Sequence, residues 1–263
     1  MRKTSVMNVS VQVLSVVALP ILLAGALGYP SSSQASLVQR GRGAQVLIGA
    51  DDDNLANPAF QPAGVAANQT MNNTDVLEGG KGNDVLIGLL GSDVMLGGNG
   101  DDILVGGPDP GAPNSDVMIG GDGKDISLWA PGDGSEVFVG NDGLDALVFG
   151  VTDRSAGSPM LSNPTAEYPH GIPTANVSGQ GGFCTVESAP EGSGYDFLVK
   201  FFARATGNLA VTVRTREVEQ LFCTSVAGGN ITFADLTQPV PAQNIVTLDE
   251  VVQLNAVVGQ MIR

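Results

Sequence analysis

Short apolar triplets alternate with glycine-rich polar stretches between residues 72 and 150, and the pattern returns about every nine residues. A typical unit opens with the glycine-rich residues 79–84 and closes with the triplet Val85–Ile87. Glycine reaches positive φ without steric cost, so the first part can turn sharply, while the aliphatic triplet suits a short strand. Two turns and two strands make one coil of about 18 residues, and stacking such coils predicts two facing parallel sheets.

The middle residue of each triplet is predicted to point into the space between the two sheets, because side chains alternate along a strand. Ser127 interrupts this otherwise apolar series. The predicted inner core consists of Leu77, Leu86, Met95, Leu104, Met118, Phe138 and Leu147.

The outer residues of the triplets are also apolar, although alternation places them on the outside of the coils. A ladder of such residues forms a patch, which isolated exposed residues do not. We expect the C-terminal half of the chain to pack against one sheet; the alternative is a surface for a partner or for self-association. The ladder comprises Val85, Ile87, Val94, Leu96, Ile103, Val105, Val117 and Ile119.

Acidic residues precede the triplets, and stacked coils would align them. Turns one coil apart lie at the spacing of neighbouring strands, about 4.8 Å, where two carboxylates repel by roughly 1 kcal/mol in water. Residues 72–150 contain 14 Asp and Glu but only two bases, Lys81 and Lys124, to neutralise them. A hard cation that takes carboxylate and carbonyl ligands meets this requirement.

Three units, GGKGNDVLI, GGNGDDILV and GGDGKDISL, contain the glycines and the aspartate of the pattern G-G-x-G-x-D-x-U-x, although the third has Ser127 at the U position. Residues 72–150 therefore resemble the RTX, or hemolysin-type, calcium-binding nonapeptide repeat. The resemblance implies an all-β chain in which a parallel β-roll, a β-helix-like solenoid, holds several Ca²⁺ ions between stacked turns. Besides turn carbonyls, the implied metal ligands are Asp84, Asp102, Asp125, Asp145, Asp93, Asp116 and Asp75.

Alternate units lie on opposite edges of the roll, because each coil has two turns. The glycine-rich turns of one edge, here the first edge, carry no insertion, whereas those of the second edge lack glycines or carry insertions. We expect up to three calcium ions between the successive turns of the first edge, and fewer or weaker ones on the second. The first edge comprises Asp84, Asp102, Asp125 and Asp145, and the second edge Asp75, Asp93, Asp116 and Glu136.

The N-terminus has the features of an export signal, in which basic residues precede an apolar run and small residues follow it. We predict a signal peptide over residues 1–35 and no membrane span after its removal. An uncleaved anchor is the alternative, since the run approaches the roughly 20 residues that cross a bilayer. Residues 36–71 are predicted to form a cap and a loop, with a degraded repeat unit in which Gln45 replaces the aspartate. The mature chain is expected to be secreted or at the cell surface, with the periplasm also possible.

The composition changes after residue 150. Residues 151–180 are predicted to be a Pro- and Ser-rich linker, in which His170 is a solvated loop residue and not a ligand, and residues 181–263 a smaller β-rich domain. Alternating residues on both sides of Thr206-Gly207-Asn208 predict a hairpin with one apolar face. Its other face is either a solvated surface or a reader of anionic polysaccharide, and carries Lys200, Arg204, Arg214 and Arg216.

Two further features concern the C-terminal half. Thr247 and Glu250 have the spacing of a capping box, which predicts the start of a terminal helix, although the β-branched residues that follow leave a strand open. Cys184 and Cys223 form an even pair, and in an exported chain such a pair favours a disulfide over free thiols.

The net charge and the sequence motifs exclude several classes of function. The net charge of -15 argues against a nucleic-acid partner, because phosphate contacts need clustered Lys and Arg. With a single histidine the H-E-x-x-H motif is impossible, and no serine lies in a G-x-S-x-G elbow. We predict a non-enzymatic, exported calcium-binding protein with a structural or adhesive role. The alternatives are a carbohydrate-binding module with the C-terminal domain as reader, and a hydrolase with an unrecognised, carboxylate-only site.

Overall fold

The computed structural model describes residues 37–38, 41–43, 45–48, 75–89, 91–107, 115–153 and 159–262. These residues belong to one compact unit, Ala35–Arg263. The expected signal peptide and most of the expected N-terminal loop lie outside the described residues. Within the ranges given above, no helix is both long and apolar enough to cross a membrane.

β-Strands contain about half of the described residues, and two short helices follow near the C-terminus. In chain order the strands are β1 (Leu37–Val38), β2 (Gly41–Arg42), β3 (Val46–Ile48), β4 (Val76–Lys81), β5 (Val85–Ile87), β6 (Val94–Asn99), β7 (Ile103–Val105), β8 (Val117–Gly123), β9 (Ile126–Trp129), β10 (Val137–Gly143), β11 (Ala146–Phe149), β12 (Val151–Thr152), β13 (Leu161–Ser162), β14 (Ile172–Pro173), β15 (Ala175–Asn176), β16 (Gly182–Ser188), β17 (Phe197–Ala203), β18 (Leu209–Arg216), β19 (Gln220–Thr224), β20 (Ile231–Asp235) and β21 (Gln243–Val246). The helices are α1 (Leu248–Leu254) and α2 (Ala256–Met261).

Consecutive strands of the repeats alternate between two sheets. The larger sheet has the order β1-β4-β6-β8-β10-β18-β17-β16, with β2 also paired to β4, and the smaller sheet has the order β21-β20-β19-β11-β9-β7-β5-β3. Equivalent residues of neighbouring coils pair in parallel, as Val76 does with Val94 and Val85 with Ile103. This parallel β-solenoid confirms the predicted fold class.

The space between the two sheets is filled by the residues that alternation predicts. All seven members of the predicted inner core are fully buried and belong to one cluster. Ser127 is also fully buried, and its hydroxyl lies 3.5 Å from the sulfur of Met118. Toward the C-terminal half this core continues into the aromatic side chains of Trp129, Phe149 and Phe201, whose ring centroids lie 4.9–5.6 Å apart.

The C-terminal half extends both sheets of the roll. Strand β18 pairs in parallel with β10, and β19 pairs in parallel with β11. Strands β17 and β18 form the predicted antiparallel hairpin, and its apolar face joins the inner core. The disulfide between Cys184 and Cys223 joins β16 of the larger sheet to β19 of the smaller one. The division of the chain into a roll, a linker and a C-terminal domain stays a prediction.

A second apolar cluster covers the outer face of the smaller sheet. Its sheet side includes Val85, Ile87, Ile103 and Val105, all of them buried, so this part of the outer ladder packs as expected. Thr247 and Glu250 form the predicted capping box at the start of α1, although Val252 of that helix is exposed. The cover comes from the two helices and from residues 168–177, and it comprises Tyr168, Ile172, Ala175, Val177, Val251, Val258, Met261 and Ile262.

The rest of the outer ladder lies on the larger sheet, where side chains are only partly buried. Val94 and Leu96 on β6, and Val117 and Ile119 on β8, alternate with fully buried inner residues. The two sheets of the roll thus differ in how completely the described residues cover their outer faces.

Candidate metal centre

A ladder of hydrogen bonds connects the aspartates of the first edge. Each aspartate accepts, through Oδ1, the backbone N–H of the acid one coil earlier in the chain. The donor and acceptor residues are Asp84 and Asp102, Asp102 and Asp125, and Asp125 and Asp145, each at 2.8 Å. One oxygen of each carboxylate is thereby used to hold neighbouring coils in register.

The second oxygen of each carboxylate is buried and has no such donor. The Oδ2 atoms of Asp84, Asp102, Asp125 and Asp145 receive no hydrogen bond from any residue that the structure describes. All four aspartates are completely buried. A buried acceptor without a donor is costly, so these four oxygens call for a positively charged ligand.

Glycine leaves room beside these oxygens. A Cβ atom on Gly79 would lie 2.5 Å from Oδ2 of Asp84 and 2.6 Å from the carbonyl oxygen of Gly97 in the next coil. The same space beside Gly97 is bordered by Oδ2 of Asp102 and the carbonyl oxygen of Gly120. The first glycine of the turn is therefore required by space, because a larger residue would occupy the gap between two oxygen atoms.

Burial also makes these carboxyls hard to ionise in the metal-free chain. Desolvation raises the pKa of Asp102, Asp125 and Asp145 to about 8, and neighbouring carboxylates of the ladder add to the effect. The hydrogen bond from the backbone N–H favours the ionised form but is the smaller influence. The pKa of Asp84 is raised in the same direction, chiefly by desolvation.

The second edge has the same backbone ladder but a different lining. Asp93 and Asp116 accept the N–H groups of Asp75 and Asp93, each at 2.8 Å. Beside Gly88 the space is bordered by Asp93 Oδ2 and the Gly106 carbonyl, as on the first edge. Beside Gly106, however, it is bordered by two carboxylates, those of Asp116 and Glu136. Desolvation, with a further contribution from the nearby Asp133 carboxylate, raises the pKa of Asp116 to about 7.

Two residues outside the predicted ligand set lie at the ends of the first edge. Gln45, noted as a substitute for aspartate, donates its backbone N–H to Asp84 Oδ1 at 2.7 Å. Glu219 accepts the N–H of Asp145 at 2.7 Å and so follows it in the ladder, 74 residues later in the chain. The sequence signal for Glu219 is weak: it directly precedes a short run with two apolar residues, Leu221 and Phe222, but Gln220 stands first in that run and the glycines of a repeat are missing there.

The chemistry of these spaces is that of a hard-cation site. Within the described ranges, no three carboxylate, histidine or cysteine side chains meet at one point. Backbone carbonyls must therefore supply part of any ligand shell, which is usual for Ca²⁺ and unusual for Zn²⁺. The unpartnered carboxylate oxygens and the space beside the glycines fit Ca²⁺, with Asp84, Asp102, Asp125 and Asp145 as the candidate residues on the first edge.

Stacked coils with aspartates and carbonyls in their turns define a β-roll of the calcium-binding class. Residues 70–107 match the family model described as the RTX calcium-binding nonapeptide repeat (4 copies), and this stretch therefore belongs to that repeat family. Repeats of this family bind calcium, are typical of exported proteins and are generally non-enzymatic. No curated protein and no solved structure matches the chain. The coils continue beyond the matched residues, up to β11 and its partner β19.

The remaining candidate residues lie away from these turns. His170 is exposed in the segment before β14, consistent with a solvated loop residue. Arg204 is not part of an open basic face, because its guanidinium donates to the carbonyl oxygens of Gln180, Gly182, Ser225 and Val226. Lys200 pairs with Glu187 at 2.6 Å. The predicted basic face is thus partly engaged within the protein.

Proposed function

We propose that this chain is an exported calcium-binding protein whose repeats form a rigid β-roll when calcium binds, with a structural or adhesive role outside the cell. The observation that carries the proposal is the row of buried, donor-free Oδ2 atoms on the first edge. No Lys or Arg side chain forms an ion pair with these carboxylates among the described residues. The ionised ladder therefore favours folding only when a cation balances its charge.

Two opposing contributions set the response to calcium. The metal-free roll must either protonate its buried aspartates or leave them charged in a desolvated setting, which costs several kcal/mol per group. A bound Ca²⁺ ion supplies the missing positive charge. Each site would then stabilise the fold by about 2.7 kcal/mol at a calcium concentration of 100 times its Kd. Individual sites of about 10⁻⁴ to 10⁻³ M are expected, as in other extracellular modules.

Circular dichroism of the chain in chelator and in millimolar calcium tests this proposal. We expect a weaker β-sheet signal and a lower melting temperature in chelator than in calcium. Calcium should also bury the single tryptophan, Trp129, which is 2% exposed in the folded state. Magnesium at the same concentration is the matched control, because it demands octahedral geometry and gives up water reluctantly. A β-sheet spectrum and a melting temperature that are the same in chelator and in calcium would falsify calcium-dependent folding.

The aspartates of the two edges are proposed to be calcium ligands of unequal importance. We assign the regular calcium ladder to Asp84, Asp102, Asp125 and Asp145, and fewer or weaker ions to Asp75, Asp93 and Asp116. The uniform spaces beside Gly79 and Gly97 support this assignment on the first edge, since each has one carboxylate oxygen and one carbonyl.

The partner of the folded roll is proposed to be another protein surface, including a second copy of the chain. The half-buried ladder of Val94, Leu96, Val117 and Ile119 supports this choice. Binding of anionic polysaccharide has less support, because Lys200 and Arg204 already have partners within the protein. Sedimentation in calcium and a pull-down on anionic polysaccharide separate the two. Retention on polysaccharide by a chain that stays monomeric would favour the carbohydrate-binding alternative.

A further inference from the structure

The two ends of the first edge differ in hydrogen-bonding chemistry. Beside Gly79 and Gly97, in two of the intervals between successive aspartates of the edge, a carboxylate oxygen and a carbonyl oxygen of the next coil face one space, and both are acceptors. The same position exists once more before Asp84 and once more after Asp145. At these ends the chain supplies Gln45 and Glu219.

The N-terminal end is closed by a donor. Gln45 lies one coil before Asp84, since its carbonyl accepts the N–H of Val85 at 2.9 Å and its own N–H reaches Asp84 Oδ1. Its side-chain Nε2 donates to the carbonyl oxygen of Gly79 at 3.2 Å. That carbonyl is the counterpart of Gly97 O, which faces Asp84 Oδ2 one coil later. A neutral amide thus donates to the Gly79 carbonyl. Its counterpart in the next interval, the Gly97 carbonyl, faces a carboxylate instead.

The C-terminal end repeats the ladder with residues from outside the repeats. Gln220 donates its N–H to the carbonyl of Asp145 at 2.9 Å, as Ala146 does to Asp125 at 2.8 Å. The carboxylate of Glu219 accepts the Asp145 N–H, which is the role of the next aspartate along the edge. The turn formed by Arg216 to Gln220 therefore stacks on residues 140–145 as a further turn of the roll.

This closing turn presents acceptors only. The carbonyl oxygen of Glu217 and the Oδ2 atom of Asp145 are both in close contact with the position of a Cβ on Gly140. Asp145 is 0% exposed, and none of the described residues donates a hydrogen bond to its Oδ2. Glu219 is partly buried and adds a second carboxylate. Among the residues that the structure describes, no side-chain amide equivalent to that of Gln45 lies beside these oxygen atoms.

We infer that the closing turn is a further calcium site, held by the carboxylates of Asp145 and Glu219 and by the carbonyl of Glu217, whereas the Gln45 end takes no ion. The inference rests on the proposed function, because it extends the calcium ladder by one interval. It makes the contact between the repeats and strands β18 and β19 depend on calcium. The C-terminal half then packs onto the end of the repeats only after a calcium ion binds in the closing turn.

The variant Glu219→Gln separates this inference from a simple structural role. Glutamine keeps a carbonyl oxygen that can accept the Asp145 N–H, but it lacks the charge of a calcium ligand. Glu191→Gln is the matched control, since Glu191 is exposed in the turn between β16 and β17 and is not part of the closing turn. Both variants are made in the full chain, stripped of metal and titrated with calcium alone, and the number of bound ions is counted by equilibrium dialysis.

Glu219→Gln is expected to bind one ion fewer than the unmodified chain, and Glu191→Gln the same number. Equal ion numbers in all three proteins would overturn the inference and leave the proposed function standing. An unmodified chain that binds no calcium would instead remove the proposed function. Loss of folding by Glu219→Gln in saturating calcium would also count against the inference, because the hydrogen bond to Asp145 is preserved.

The variant Gln45→Asp tests, at the N-terminal end of the first edge, whether an interval lined only by acceptor oxygens binds calcium. Aspartate there replaces the amide donor by a carboxylate, which gives the interval before Asp84 the same acceptors as the inner ones. This variant should bind one ion more than the unmodified chain and melt at a lower temperature in chelator. An unchanged ion number would show that facing acceptors are not sufficient for a site and would overturn the inference.

Discussion

The two edges of the roll share one backbone arrangement but differ in what lines their turns. On both edges an aspartate Oδ1 accepts the N–H of the acid one coil earlier at 2.8 Å. Beside Gly79 and Gly97 on the first edge the space lies between one carboxylate and one carbonyl, whereas beside Gly106 on the second edge it lies between Asp116 and Glu136. The coil stacking therefore sets the ladder, while the turn sequence sets the ligands.

The insertions explain where the edges diverge. The sequence interval between successive ladder residues of the second edge grows from 18 residues, between Asp75 and Asp93, to 23, between Asp93 and Asp116. The next turn of this edge, at residues 131–135, also has an insertion. Within that turn the Oδ2 atom of Asp133 accepts the N–H of Ala130 at 2.7 Å, so this side chain stabilises the turn itself. A longer turn brings additional carboxylates near the ladder without adding glycine carbonyls at the repeat positions.

The largest difference between the edges is expected from alanine substitutions. Asp125→Ala and Asp102→Ala each remove a carboxylate that borders a space on the first edge and also accepts the N–H of the preceding aspartate. Calcium affinity should fall on the order of 100-fold. Asp93→Ala on the second edge should reduce it by about tenfold. Calorimetric calcium titration of the three variants measures the contrast. Equal losses would mean that the two edges bind calcium alike.

The pH dependence of the calcium-free chain is the next largest effect. The pKa of Asp102, Asp125 and Asp145 is about 8 in the folded state against 3.8 for the ordinary carboxyl. A raised folded-state pKa gives stability that is fully present below about pH 4 and is lost as pH rises toward 8. In chelator the melting temperature should fall by about 10 °C across this window. In saturating calcium it should rise instead, because the ions need ionised ligands.

A melting temperature in chelator that stays constant between pH 4 and 8 would contradict this expectation. Asp93→Asn and Asp125→Asn serve as matched variants, one on each edge. The first-edge variant should reduce the pH dependence more, since Asp125 interacts with Asp102 as well as being desolvated.

A smaller effect is expected from Asp102→Asn. The amide keeps an oxygen for the Asp84 N–H and brings an N–H₂ group next to the Gly120 carbonyl, which imitates the arrangement of Gln45 and Gly79. Removing a buried charge and adding a donor should raise the melting temperature in chelator by about 5 °C while lowering the number of bound ions. Thermal melts with and without calcium measure both changes. A lower melting temperature in chelator would speak against the acceptor-only description.

The smallest change is expected from Asp133→Asn on the second edge. The Asp133 carboxylate raises the pKa of Asp116 but borders none of the first-edge spaces. Asparagine keeps an acceptor for the Ala130 N–H, so folding should be retained. Calcium affinity should change by less than about threefold, while the pKa of Asp116 falls below about 7. Carboxyl chemical shifts followed by NMR during a pH titration measure this change.

The repeat pattern alone determined the inner core, the parallel coils and the aspartate rows. Each of these depends on residues that are close in sequence, because a turn and a strand need only the glycines and the triplet within one unit. The fully buried inner series and the parallel register confirm that part of the interpretation. The hairpin of β17 and β18 and the capping box at α1 were predictable for the same reason.

The tertiary structure alone decided which distant segments complete the roll. Glu219 follows Asp145 in the ladder although 74 residues separate them, and Arg204 uses its guanidinium on backbone carbonyls and so leaves the predicted basic face. Residues 168–177, expected in a linker, pack on the outer face of the smaller sheet. Periodicity reports only contacts at a fixed sequence interval, whereas these contacts are set by which apolar faces and unpaired strand edges remain to be covered once the coils have stacked.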